Sequence, residues 1–149
     1  MIAGIDSMVL IYAGVVPSKK GVKVDKELQT CAKILLHKLR SDTVLLPTIA
    51  VTELLVPVPS AQKGLLIASL AKRFVCPQFD MRAASIAAEL WVTHKKMPQD
   101  LQYKSRHVLR SDAMIIAAVK SVGATEFYSH DKQCRALAKH VMKACNESM

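Results

Sequence analysis

Residues 4–12 read GIDSMVLIY, a stretch in which seven of the nine residues are apolar or glycine. Such a continuous apolar run, beginning at Ile2, is typical of a strand buried on both faces of a parallel sheet, and we predict a strand over residues 2–12. Asp6 is the one charged residue of the stretch. A buried carboxylate costs free energy unless something compensates it. What compensates Asp6 is therefore the first question that the sequence raises.

The chain as a whole has the composition of one folded domain. Its 149 residues are 51% apolar and 22% charged, which predicts a single domain over residues 1–149 with a sizeable core. No apolar stretch approaches the ~18 residues of a membrane span, and no charged segment precedes an apolar leader, so we expect neither membrane association nor a signal peptide. The cysteines lack metal-binding spacing, and we expect reduced thiols in a cytoplasmic protein. They are Cys31, Cys76, Cys134 and Cys145.

The charge of the chain favours a polyanionic partner. Lysine and arginine exceed aspartate and glutamate by 21 − 12 = 9, as is common in proteins that bind nucleic acid, although a solubility role alone is the alternative. Basic residues cluster ahead of Asp112, where they either hold substrate phosphates or form a solvated loop. The cluster comprises Lys95, Lys96, Lys104, Arg106, His107 and Arg110, of which Lys104, Arg106 and Arg110 are the candidate substrate contacts. With 5% aromatic residues, base stacking is not expected to dominate, and Trp91 is interpreted as a core residue.

Apolar runs alternate with amphipathic segments along the chain, which indicates an α/β fold with a mostly parallel sheet. The predicted strands after the first cover 44–49, 74–76 and 126–129. The predicted helices are 26–40 capped by Asp25, 51–56, 60–73, 81–96 capped by Asp80, 113–122 ended by Gly123, and 132–143. Residues 15–24 and 97–110 are predicted to be loops.

Four acids fall where such a fold places its functional groups, beyond the carboxyl ends of the strands. Asp6 lies in or at the end of the first strand, Glu53 in the first turn after the second, Asp131 just after the strand at 126–129, and Asp112 at the start of a helix. Each has an ordinary alternative, as a turn, cap or solvated residue. Converging carboxylates repel one another, and a hard divalent cation such as Mg²⁺ or Mn²⁺ would resolve that repulsion. On a basic protein this pattern indicates phosphodiester hydrolysis.

At these positions the chain resembles the PIN-domain family, and most closely its single-domain VapC-type toxin ribonucleases. The resemblance covers nearly the whole chain and depends on the order of the motifs, each of which is weak alone. The last acid follows the third by 131 − 112 = 19 positions. The motifs are Asp6-Ser7, Thr52-Glu53-Leu54, the helix opening Ser111-Asp112-Ala113-Met114-Ile115-Ile116-Ala117-Ala118, and Tyr128-Ser129-His130-Asp131.

The resemblance implies a PIN-like three-layer sandwich, with four or five mostly parallel strands flanked by helices. It implies a metal-dependent endoribonuclease that uses Mg²⁺ or Mn²⁺ to hydrolyse RNA, acting as the toxin of a toxin–antitoxin pair. The catalytic and metal-binding residues would be Asp6, Glu53, Asp112 and Asp131, with Ser7 and Ser129 shaping the site through hydroxyl hydrogen bonds. The expected partners are RNA, a small antitoxin protein and a second copy of the chain in a homodimer. Met8 departs from the small polar residue that the family often has there.

Other interpretations of the acids were weighed against this one. A haloacid dehalogenase-type phosphatase needs an aspartate two residues after the first, where this chain has Met8. A receiver domain needs an acid pair near the N-terminus, and the sequence has none there. The alternatives left open are a PIN nuclease of RNA processing with no antitoxin, and a catalytically weak PIN fold that serves as an RNA-binding module.

Overall fold

The computed structural model describes residues 1–16 and 25–146. Its centre is a four-stranded sheet with strand order β2-β1-β3-β4, in which all neighbouring strands are parallel. The strands are β1 (Ile2–Ile5), β2 (Thr43–Leu45), β3 (Glu126–Tyr128) and β4 (Lys143–Cys145). The helices of the described part are α1 (Ser7–Tyr12), α2 (Lys26–Lys38), α3 (Thr48–Leu55), α4 (Ser60–Arg73), α5 (Met81–His94), α6 (Arg106–Ser121) and α7 (Lys132–Ala138), and Gln99–Leu101 forms a short 3₁₀ helix.

The central strand β1 lies directly against α6. Ala3 and Ile5 are fully buried, and Gly4 lies so close to α6 that a Cβ built on it would come within 2.8 Å of the Val119 side chain. Real Cβ atoms do not approach other heavy atoms this closely, so any larger residue at position 4 would push the helix away from the strand. The absence of a side chain at Gly4 therefore sets the spacing between the first strand and the helix that carries Asp112.

The first strand is shorter than predicted, and the prediction of a strand through Tyr12 is wrong. The backbone N–H of Asp6 donates to the carbonyl of Tyr128, and the chain then turns into α1. Asp6 has extended dihedral angles (φ −79°, ψ 152°) and occupies the position before the first helical residue. A short helix buried on several sides is as continuously apolar as a buried strand, which explains why the sequence pattern did not separate the two.

Most predicted helices are confirmed. Residues 60–73 form α4 with the predicted bounds, while α3 begins at Thr48, three residues before its predicted start. Both predicted aspartate caps are present: Asp25 accepts from the backbone N–H of Glu27 at 2.7 Å, and Asp80 from that of Ala83 at 2.9 Å. Local capping chemistry thus determines where α2 and α5 begin.

The segment before Asp112 differs from its prediction. Residues 97–110 do not form one loop, because Ser105 caps a helix that begins at Arg106, and its hydroxyl accepts from the N–H of Val108. The first turns of α6 are polar and basic on their exposed side, which hid the helical periodicity. Asp112 therefore lies in the second turn of α6 and does not cap it. The helix ends as predicted before Gly123, whose φ is +95°, a left-handed conformation that glycine adopts readily.

Two predictions at the sides of the sheet are also corrected. The predicted strand at 74–76 forms a single parallel bridge, from Val75 to Leu45. The last helix ends at Ala138, not at Lys143, because residues 143–145 pair with β3 as β4, a strand that the sequence reading missed. Most of the predicted loop at 15–24 lies outside the described residues. The α/β class with a parallel sheet flanked by helices is confirmed.

Among the described residues, no helix combines the length and the apolarity that a membrane span needs. All four cysteines are free thiols, of which Cys134 and Cys145 are buried and Cys31 and Cys76 are half-buried.

Candidate active site

Three of the four predicted acids follow parallel strands that are neighbours in the sheet. Asp6 comes directly after β1, Glu53 lies in α3, which follows β2, and Asp131 comes three residues after the end of β3. The carboxyl ends of parallel strands meet at one edge of a sheet. The close packing of α6 on β1 brings Asp112 to the same edge. Glu53 lies in the second turn of its helix and not in the first, because α3 starts earlier than predicted.

Asp6 is the most enclosed of the four acids, with 6% of its surface exposed. The Ser129 hydroxyl donates to its Oδ2 at 3.0 Å, and the Ser7 hydroxyl lies 3.3 Å from its Oδ1. Burial raises the pKa of Asp6 above its ordinary value, the negative charge of Glu53 raises it further, and the hydrogen bonds from Ser129 and Ser7 oppose that rise. Asp6 is thus a carboxyl group whose charge the protein stabilises incompletely.

Glu53 is exposed and is tied to the site by two serines. The Ser7 hydroxyl lies 3.0 Å from its Oε2, and the Ser111 hydroxyl donates to its Oε1 at 2.6 Å. Ser7 has a single hydroxyl proton, so it donates to either Asp6 or Glu53 at a given moment. When Asp6 and Glu53 are both ionised, one of the two contacts of the Ser7 hydroxyl therefore has no proton between its oxygens.

Asp112 is paired with a tyrosine that the sequence analysis did not identify. The Tyr103 hydroxyl donates to its Oδ2 at 2.7 Å. Burial raises the pKa of Asp112 to about 7; the Tyr103 hydrogen bond opposes the rise, and the charges of Asp6, Asp131 and Glu53 add to it. Since a negative charge affects a buried neighbour strongly only at short range, the four acids belong to one electrostatic cluster.

Asp131 is exposed and caps α7. Its Oδ1 accepts from the backbone N–H groups of Gln133 at 2.8 Å and Cys134 at 3.1 Å. Its own N–H donates to the Ser129 hydroxyl at 3.1 Å, so Ser129 connects Asp131 to Asp6. These hydrogen bonds give Asp131 a local structural role, the alternative stated for it from the sequence. Its role in a metal site stays a prediction.

A buried thiol lies next to the acids. Cys134 is 1% exposed, and burial together with the charges of Asp112 and Asp6 raises its pKa well above the ordinary value. At neutral pH it is therefore a neutral thiol, and the polar ligands on offer at this site are oxygen atoms.

No lysine or arginine of the described residues, 1–16 and 25–146, is ion-paired with the acid cluster. Across the same residues, no three or more histidine, cysteine, aspartate or glutamate side chains lie in positions that would hold a metal ion together. The donor set itself, made of carboxylate and hydroxyl oxygens, fits a hard divalent cation that binds one or two carboxylates and keeps several waters.

The basic candidate residues lie beside Tyr103 and Trp91. Lys104 and Arg106 are exposed and line a cavity of about 470 Å³ to which Tyr103 also contributes, whereas the guanidinium of Arg110 lies 5.0 Å from the centre of the Trp91 ring. Sequence reasoning missed Tyr103 and the contact of Ser111 with Glu53. Tyr103 lies 9 positions from Asp112 and Ser111 lies 58 positions from Glu53, so no local sequence pattern connects either pair.

Comparisons with known proteins extend this description at the level of the fold. No family model matches the chain, and no curated protein matches it. The fold is similar to that of a chain in the crystal structure of VapBC2 from Rickettsia felis bound to a DNA fragment from their promoter, with a TM-score of 0.65 and 14% sequence identity. The similarity covers 98% of each chain. Together with the parallel sheet and its helices, it establishes a PIN-like fold.

Proposed function

We propose that the protein is a metal-dependent endoribonuclease that hydrolyses RNA phosphodiester bonds with Mg²⁺ or Mn²⁺, and that it is the toxin of a toxin–antitoxin pair. The observation that carries the proposal is the cluster of Asp6, Glu53 and Asp112 at the carboxyl edge of a parallel sheet. Asp6 and Asp112 are buried near other negative charges, and no lysine or arginine of the described residues is ion-paired with any of the three acids. A group that arrives with positive charge is the simplest reason for such an arrangement.

The metal would be held by a small part of this oxygen-rich set. Asp6 and Asp112 are the strongest candidates for direct ligands, because burial raises the pKa of both and a cation would restore their ionised forms. Glu53 and Asp131 would act from the rim, since both are exposed and hydrogen-bonded elsewhere. When bound, the cation would supply a water of lowered pKa and neutralise charge on the phosphoryl group.

The chain's own residues would position these parts. Ser129 and Ser7 hold the two oxygens of Asp6, and Tyr103 fixes the orientation of Asp112. Lys104 and Arg106 would attract the RNA backbone, in keeping with the net charge of +9. Because outer hydrogen-bond partners orient ligands, loss of the Ser129 hydroxyl would weaken activity without removing a metal contact.

The decisive experiment incubates the purified protein with total RNA and either Mg²⁺ or Mn²⁺, with and without a chelator. Asp112→Asn is the test variant, because asparagine keeps an oxygen that accepts from Tyr103 but carries no charge. Asp100→Asn is the matched control, since Asp100 is exposed in the 3₁₀ helix. We expect cleavage that the chelator and Asp112→Asn abolish and Asp100→Asn leaves unchanged. RNA binding without metal-dependent cleavage would instead favour an RNA-binding module.

The antitoxin part of the proposal draws on an exposed apolar surface. Helix α4 has one buried residue, Leu70, whereas Leu65 and Ile67 are 79% and 47% exposed, and Val56 just before the helix is 70% exposed. Large apolar side chains left exposed within one segment of a chain are candidate contacts for a partner. The similar Rickettsia felis chain was crystallised in a VapBC2 complex, which supports a small protein partner here.

The toxin assignment has its own test, separate from catalysis. Expression of the chain alone should arrest growth, and co-expression with a small protein encoded beside it should relieve the arrest. Leu65→Asp should reduce co-purification of that protein, and light scattering should detect the proposed homodimer. Metal-dependent cleavage without growth arrest would instead indicate an RNA-processing nuclease with no antitoxin.

A further inference from the structure

A second concave site is lined by Tyr103, the residue whose hydroxyl donates to Asp112. It is a cavity of about 470 Å³ between the end of α5, the segment 95–105 and the start of α6. Three aromatic rings and three cationic side chains line it. They are Trp91, His94, Tyr103, Lys95, Lys104 and Arg106.

The wall of this cavity is fixed by hydrogen bonds. The buried His94 ring accepts from the backbone N–H of Tyr103 at 2.8 Å, and the Gln102 side chain donates to the carbonyl of Met97 at 3.0 Å. The Gln133 side chain of α7 donates to the carbonyl of Gln102 at 2.9 Å, which ties the segment to the rest of the fold. The cavity is therefore formed before any ligand binds, which reduces the entropy cost of binding.

Tyr103 belongs to this cavity and to the acid cluster at once. Its ring contacts the His94 ring edge to face, with 5.5 Å between centroids, while its hydroxyl donates to Asp112. Tyr103 therefore connects this cavity directly to the acid cluster.

Trp91 is only half-buried and is more than a core residue. It contributes to this cavity and to a neighbouring apolar cavity of about 450 Å³, and Arg110 lies over its ring. An indole carrying a guanidinium is a preferred surface for an unpaired base, because aromatic and guanidinium planes both stack on bases. Lys104 and Arg106 at the rim are placed to contact the phosphate of the same nucleotide.

We propose that this cavity, here called the Trp91 cavity, binds one unpaired nucleotide of a single-stranded RNA, with its base against the aromatic wall and its phosphate at Lys104 and Arg106. This nucleotide would be the neighbour of the phosphate that reaches Asp112. That part of the proposal rests on the proposed ribonuclease function. Selection of single strands follows, because a base paired in a duplex cannot leave its stack to enter the cavity without an energy cost.

The chain contains one tryptophan, so its fluorescence reports on this cavity directly. The wild-type protein, in chelator so that no metal-dependent cleavage occurs, is titrated with a short single-stranded oligoribonucleotide of mixed sequence. We expect saturable quenching of Trp91, and much weaker quenching by the same strand annealed into a duplex. Absence of quenching at RNA concentrations that saturate binding by anisotropy would overturn the proposal.

Variants separate the cavity from general electrostatic attraction. Lys104→Ala/Arg106→Ala should weaken single-strand binding about tenfold and lower the slope of log affinity against log salt by about one. The matched control Lys33→Ala/Lys72→Ala removes the same charge from exposed positions outside the Trp91 cavity and should change affinity far less. Equal losses in the two double variants would overturn the proposal.

The aromatic contribution is tested with a conservative pair. Trp91→Phe should retain most of the affinity measured by anisotropy, and Trp91→Ala should lose about tenfold or more, with circular dichroism checking the fold of each. If Trp91→Ala does not fold, an affinity of Trp91→Leu equal to that of Trp91→Phe would overturn the proposal. Quenching without any metal-dependent cleavage would refute the ribonuclease and leave the cavity standing, whereas cleavage without quenching would do the reverse.

Discussion

Asp6 and Asp131 follow adjacent parallel strands at the same edge of the sheet, yet their surroundings are opposite. Asp131 is exposed, and two backbone N–H groups of α7 stabilise its charge. Asp6 is buried and relies on serine hydroxyls, and its pKa is raised. The difference shows that a position just after a strand does not by itself make a carboxylate a functional group. Asp131 is a helix cap whose hydrogen bonds are local, whereas Asp6 is buried with a raised pKa and is hydrogen-bonded by serine hydroxyls.

The largest expected effect is on cleavage. Asp6→Asn should reduce metal-dependent RNA cleavage about a thousandfold, because a cation then loses its most buried charged oxygen. Asp131→Asn should reduce it much less, since asparagine still caps α7 and the proposed direct ligands remain. Initial rates at saturating Mg²⁺ measure both, and an equal or greater loss in Asp131→Asn would remove the distinction between the two acids.

The next effect is on stability as a function of pH. Asp112 has a pKa of about 7 in the folded protein and about 3.9 when unfolded. Below about pH 4 the folded and unfolded states both bind the proton, so Asp112 carries no charge that lowers the free energy of unfolding. As the pH rises through 7, the unfolded state releases the proton more readily, and the free energy of unfolding falls by up to about 4 kcal/mol relative to Asp112→Asn.

Urea unfolding of the wild type and Asp112→Asn from pH 4 to pH 8 measures this difference. Mg²⁺ or Mn²⁺ at pH 8 should recover part of the loss in the wild type but not in the variant, because ligands stabilise the state that binds them. A constant difference across the pH range would contradict the buried, uncompensated character assigned to Asp112.

A smaller effect is expected from the strand that carries Asp6. Gly4→Ala should destabilise the fold by about 2 kcal/mol, because its Cβ would lie 2.8 Å from the Val119 side chain. Val119→Ala alone creates a cavity. Combined with Gly4→Ala it removes the contacts with both γ carbons but keeps the contact with the Cβ of residue 119 at 2.9 Å, so it should restore only part of the stability. Chemical denaturation of the three variants forms a double-mutant cycle. Simple additivity of the two changes would mean that the contact does not set the spacing of β1 and α6.

The smallest expected effect concerns the cap. Asp131→Ala should lower the free energy of unfolding by about 1 kcal/mol, whereas Asp131→Asn should leave it nearly unchanged. Thermal unfolding compares the two variants directly. If both cost the same, the contribution of Asp131 would come from its charge, and it would resemble Asp6 after all.

The sequence predicted the features that depend on nearby residues. The caps at Asp25 and Asp80 and the bounds of α4 follow from local hydrogen bonding and from prolines, and the structure contains them. The alternation of strands and helices also predicted that acids placed after the strands would meet at one edge of the sheet. These features need no knowledge of the tertiary packing.

Features decided by contacts far apart in the chain were not predictable. The turn at Asp6 depends on a backbone bond to Tyr128, and β4 exists because β3 lies beside it. The hydrogen bonds of Ser111 to Glu53 and of Tyr103 to Asp112 likewise join separate elements. Trp91 packs partly against the core, as predicted, and it also lines a cavity, which the sequence pattern does not reveal.

The thiol of Cys134 has a consequence for how the protein tolerates oxidants. Peroxides attack the thiolate form of cysteine, and burial together with the nearby aspartates keeps Cys134 in its unreactive protonated form. The negative charges of the acids, which raise the pKa of Asp6 and Asp112, thus also disfavour the thiolate form of Cys134. The site should keep its structure under oxidative stress that would damage an exposed cysteine of ordinary acidity.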